Sequence, residues 1–115
     1  MFGFSTSIKV EILLPTLYNE NEDGQRHEIE GKKYSDTYDD LMDEFGGCTI
    51  DNTPLLGGWI DPKTKQRVND ENTTYWVVCK KSRKNKSFFK NYKEILKQRF
   101  QQDAIMMYSV SINHF

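Results

Sequence analysis

Tyr34-Ser35-Asp36-Thr37-Tyr38-Asp39-Asp40-Leu41-Met42-Asp43-Glu44-Phe45-Gly46-Gly47 reads as one amphipathic helix followed by its own stop signal. Tyr34, Tyr38, Leu41, Met42 and Phe45 fall three or four residues apart and so share a face. Ser35 or Asp36 is placed to cap the start, and Asp36, Asp39 and Asp40 lie early, where the helix dipole favours negative charge. Gly46 suits the left-handed residue just past the end. Read as a phosphate nest, Gly46-Gly47 is on the wrong side of its helix, since phosphate loops precede an N-terminus.

Outward from this helix the periodicity changes from helical to alternating. Upstream, Ile8, Val10, Ile12 and Leu14 alternate with Lys9, Glu11 and Leu13 and stop at Pro15, which predicts a strand. A polar stretch over 16–33, with Gly24, Gly31 and Glu20-Asn21-Glu22-Asp23, reads as a long mobile or functional loop, with short extra structure near His27 to Ile29. Downstream, a second strand begins at Cys48 to Ile50 and continues unevenly through Pro54 and Gly57-Gly58 to Trp59-Ile60, the glycine pair suggesting a bulge. Asp61-Pro62-Lys63-Thr64 reads as a turn, and Thr73 to Lys80 as the third strand of a long hairpin. A hairpin closing near Lys65 brings Cys48 and Cys79 close to opposing positions.

Ser87 is a candidate cap for a second helix, with Phe89, Tyr92, Leu96 and Phe100 on one face and Lys86, Lys90, Lys93 and Lys97 on the other. A last strand alternates Met106, Tyr108, Val110 and Ile112 with Met107, Ser109, Ser111 and Asn113. The order β-α-β-β-α-β is the split βαβ of the ferredoxin-like α+β fold, a four-stranded antiparallel sheet in order 4-1-3-2 with two helices on one face. Residues 1–115 form one domain, and residues 1–7 are expected to be flexible. The uncovered face then needs a partner, most simply a second copy, with Met107, Leu13 and the outward member of Trp76 and Val78 on the dimer surface.

Phe45-Gly46-Gly47-Cys48-Thr49, Gly57-Gly58-Trp59 and Phe100-Gln101-Gln102, with Leu13-Leu14-Pro15 at the first strand's end, resemble a family of small ferredoxin-like proteins with Phe-Gly-Gly-x-Thr, Gly-x-Trp and Phe-x-Gln motifs. The resemblance covers roughly residues 8–112 and implies the fold; it brings no activity.

Apolar residues at 37% and aromatics at 13% give enough bulk for a core, so the chain is expected to fold. No apolar run is long enough to span a bilayer, which makes the cytoplasm the expected compartment with no membrane partner. Two cysteines, Cys48 and Cys79, are too few for a disulfide framework or a zinc site, so reduced, buried thiols and no metal are expected. No motif calls for a cofactor. The net charge of -1 hides a division. Residues 1–71 hold 15 acids and 7 bases, whereas residues 72–115 hold 2 acids and 9 bases.

The leading expectation is a ligand- or protein-binding module acting as a homodimer through its open sheet face, with Trp59 and Trp76 as aromatic contacts. Thr49 and Gln102 join them as motif residues. A second class is a small enzyme with a cleft at the subunit interface, using Asp61, Glu71 or His27 as acid or base. A third is an RNA- or DNA-binding protein using Lys80, Lys81, Arg83, Lys84, Lys86 and Lys90. An isoelectric point near 6.1 and the lack of an aromatic RNA-recognition run disfavour it.

Overall fold

Alternation along the first strand decides what lies on each side of the sheet. The computed structural model describes residues 6–115, and the elements follow as β1 (Ser7–Pro15), α1 (Gly31–Phe45), β2 (Thr49–Ile60), β3 (Arg67–Lys80), α2 (Arg83–Arg99) and β4 (Met107–Ile112). The strands form one antiparallel sheet in order β2-β3-β1-β4, the ferredoxin-like arrangement. The flexible start expected for residues 1–7 falls outside the described residues as far as residue 5, while Ser7 already belongs to β1.

Register carries the alternation across the sheet. Val10 lies opposite Val77 and Ser109, and Ile12 opposite Tyr75 and Met107, so these residues share the helix-covered side. There they meet Leu41 from α1 and Phe89, Tyr92, Leu96 and Phe100 from α2 in one core. The other side carries Lys9, Glu11, Leu13, Trp76, Val78, Tyr108 and Val110. Met107 therefore packs against the core and is not part of the open face, correcting the expected dimer surface; Trp76 and Val78 both point outward. The apolar set on β4 misleads because β4 is an edge strand, where Tyr108 and Val110 stay largely uncovered.

Both helices begin earlier than capping residues alone suggest. Ile29 is buried, which pins the chain immediately before α1, and the helix starts at Gly31 with Glu30 as N-cap. Ser35 donates instead to the Lys32 carbonyl at 3.1 Å. For α2 the cap is Ser82, whose hydroxyl accepts from the Asn85 N–H at 3.1 Å, so Arg83, Lys84 and Lys86 form helix rather than loop. Gly46 ends α1 with φ of 74° and donates its N–H to Met42 at 2.8 Å, as a left-handed stop should. Between the helices Arg99 donates to Asp40 at 2.8 Å and to the Thr37 hydroxyl at 2.8 Å, while the Tyr92 hydroxyl donates to Asp40 at 2.9 Å.

The β2–β3 ribbon is bulged between Asp51 and Leu55, not at Gly57-Gly58. Pro54 has no N–H to give the ladder, and the Asp51 carboxylate takes the Thr53 N–H at 2.9 Å, which folds the strand locally. Gly58 instead allows close approach, since a side chain there would sit 3.3 Å from the Val68 carbonyl oxygen. Beyond the bulge the ribbon runs out as an arm closed by Asp61, whose carboxylate accepts from Lys63 at 2.8 Å. The molecule measures 61 × 30 × 25 Å. Leu56, Trp59 and Ile60 on the arm are 81%, 48% and 58% exposed.

Candidate functional site

A polar cleft lies at the root of the arm, formed where the 16–30 excursion folds back beside β3. The excursion is not a slack loop. Leu17 bridges Glu28, Tyr18 donates its N–H to His27 at 2.8 Å, and Ile29 donates to Thr16 at 3.2 Å. Arg26 fastens it to the arm by donating to the Tyr18 carbonyl at 2.9 Å and the Asn69 carbonyl at 2.8 Å. Thr16 donates its N–H to the Glu71 carbonyl at 3.0 Å, which sets Glu71 against the excursion.

The resulting cleft has a volume of about 450 Å³, within the range of small-molecule sites. Glu28 and Glu71, Tyr34 and Tyr75, and Asn52 and Asn72 are among the residues that line it, with Glu71 and Tyr75 on the helix-covered side of β3 and Asn72 on the other. No lysine or arginine lines it, and the ion pairs among the described residues lie elsewhere. Burial, reinforced by Tyr75, Tyr18, Glu28 and Glu30 nearby, pushes the Tyr34 phenol up to about 12, and burial raises Tyr75 as well. Tyr34 donates its hydroxyl proton to the Pro15 carbonyl and packs edge-on against Phe100, with centroids 5.2 Å apart. Two carboxylates beside neutral aromatic rings can balance a cation, accept hydrogen bonds from amines or hydroxyls, or take a proton.

Of the three candidate acid/base residues only Glu71 lines this cleft. Asp61 closes the arm's tip, about five residues along the ribbon and so about 16 Å away. His27 is exposed on the excursion with its Nε2 3.1 Å from the Asn21 amide nitrogen. Trp59 is on the arm, Trp76 is on the open face under the Lys9 ammonium at 4.5 Å, and Thr49 lies opposite Trp76 on β2. Gln102 donates its side chain to the Phe100 carbonyl at 3.0 Å and its N–H to Lys97 at 2.8 Å, finishing α2. Sequence reading missed Glu28, Tyr34, Tyr75, Asn52 and Asn72 as cleft residues; Ile29, an apolar residue in a polar stretch, was the signal that the excursion is anchored.

The basic candidates gather at a second cleft of about 620 Å³ between α2 and β4. Lys81, Arg83, Lys86 and Lys90 line it and Lys93 joins them, whereas Lys80 and Lys84 do not. Cys48 and Cys79 are free thiols; Cys79 lies opposite Ile8, and Cys48 precedes Thr49, whose partner is Trp76, so the two do not face each other. Burial pushes the Cys48 thiol up to about 11. Among the described residues no group of three His, Cys, Asp or Glu could hold a metal ion, and no helix is long and apolar enough to cross a membrane.

Comparison with family models and with curated proteins finds no match. Among solved structures the chain is similar to a phage SAM lyase in complex with S-methyl-5'-thioadenosine, with a TM-score of 0.61 and 10% identity over 97% of this chain and 94% of that one. The likeness shows the fold.

Proposed function

We propose that the chain is a small-ligand-binding domain that works as a homodimer, and that its ligand is a small cation seated in the cleft at the root of the arm. The observation that carries this reading is the pairing of Glu28 and Glu71, without a compensating lysine or arginine, beside Tyr34 and Tyr75. S-adenosylmethionine is the first ligand to test: it bears a sulfonium, and a lyase acting on SAM shares the fold. A second copy covers the open sheet face and the arm. Register places Leu55 and Trp59 on the same side of the ribbon as Trp76 and Val78, with the polar pair Asp51 and Thr74 between the two apolar groups. Lys9 and Glu11, 3.5 Å apart on that face, give a two-fold partner self-complementary charges.

Two glutamates lining one cleft also favour an enzymatic reading, in which Glu71 takes a proton from the carbon next to the sulfonium-bearing carbon, the freed C–H electron pair forms a carbon–carbon double bond, and the carbon–sulfur bond breaks with its electron pair leaving on the neutral thioether. Titration calorimetry with S-adenosylmethionine and S-methyl-5'-thioadenosine tests binding, and chromatography of the incubated mixture tests turnover. Binding that is lost in Glu71→Gln and Glu28→Gln supports the site. Absence of heat with both compounds removes this ligand class.

A further inference from the structure

The charges around the cleft between α2 and β4 work against the helix that carries them. Arg83, Lys84 and Lys86 occupy the first turn of α2, which has no acid, although the helix dipole disfavours cations there. Lys86 and Lys90 are four residues apart on one helix, where like charges repel. No carboxylate lines the cleft, and none of its five cations joins an ion pair among the described residues. A merely solvated face would be expected to scatter acids among these bases. Beneath the cations the floor is apolar, made by Ile8, Val10, Phe89 and Met107, with Tyr108 at the edge.

We infer that this cleft binds a phosphorylated small molecule that also carries a flat apolar group, the nucleoside diphosphate class. Cations at the start of α2 hold the phosphates, and the base lies on the apolar floor. The cations converge on one concavity large enough for a single such ligand, instead of tracking along the surface as a nucleic-acid strand requires. The ligand is opposite in charge to that of the Glu28–Glu71 cleft, so either assignment can fail alone.

Calorimetry and thermal unfolding of the full chain with ADP, inorganic phosphate and a short single-stranded RNA test the inference, alongside the K86Q/K90Q variant. ADP is expected to bind more tightly than phosphate and to raise the unfolding temperature. K86Q/K90Q is expected to weaken ADP by about tenfold or more while unfolding, without ligand, at or above the wild-type temperature because repulsion has been removed. Equal ADP affinity in the variant, phosphate binding as tightly as ADP, or RNA binding without ADP binding would each overturn it.

Discussion

Arg99 of α2 donates to the Asp40 carboxylate of α1 at 2.8 Å, and this contact joins the helices at the back of the core. The same guanidinium reaches the Thr37 and Tyr92 hydroxyls, so one side chain satisfies partners on both helices. Asp40 is partly open to water, which moderates the value of the pair. Replacing Arg99 by Gln or Asp40 by Asn is expected to destabilise the fold by about 1–2 kcal/mol, and Arg99→Lys is expected not to rescue it because a lysine cannot span three acceptors. Urea unfolding with a double-mutant cycle measures the coupling.

Tyr34 makes the fold sensitive to alkali. Its phenol is pushed up to about 12 by burial, against an ordinary value of 10.0, so the folded state holds the proton more tightly than the unfolded chain. Its contribution to stability is complete below pH 10.0 and declines as pH rises towards about 12. Tyr75 and Tyr92 shift in the same direction, mainly through burial. Unfolding curves recorded across this range should show the loss, and Tyr34→Phe should flatten part of it.

Cys48 is expected to be a poor nucleophile. With its thiol pushed up to about 11 from 9.0, the thiolate is about a hundredfold scarcer near pH 8 than in an ordinary cysteine. Iodoacetamide should therefore label the native chain slowly and the urea-unfolded chain rapidly. Equal rates would contradict the burial assigned to this thiol.

The arm tests self-association. A double variant, Leu55→Ser with Trp59→Ser, should keep the wild-type circular dichroism, because neither side chain belongs to the core, yet shift the mass in light scattering towards a monomer. A wild-type chain that remains monomeric at high concentration would oppose the homodimer.

Much of the fold was readable because β1 announces its two faces: Ile8, Val10, Ile12 and Leu14 match residue by residue the inward side of β3 and β4. What failed to read were features set by distant partners. Ser35 and Ser87 have the chemistry of caps, but Ile29 in the core and Ser82 beside Asn85 decide where the helices start. Met107 faces inward because Ile12 stands opposite it, a pairing that alternation within β4 does not encode. In the cleft, Glu71 was visible as a carboxylate near a turn. Glu28 joins it only through the Leu17 bridge and the Arg26 contacts, which span 43 residues in one case.

The kink at Asp51–Leu55 also has a kinetic meaning. It separates a stretch of ribbon tied to the core through Thr73 and Tyr75 from one held by its own cross-strand bonds and by Arg26, which reaches the Asn69 carbonyl and the Asp70 carboxylate. In an isolated protomer, the amide protons of 55–60 and 67–70 should exchange with solvent through a local opening that leaves the helices intact. Self-association should slow that exchange selectively, so the hinge becomes a reporter of assembly.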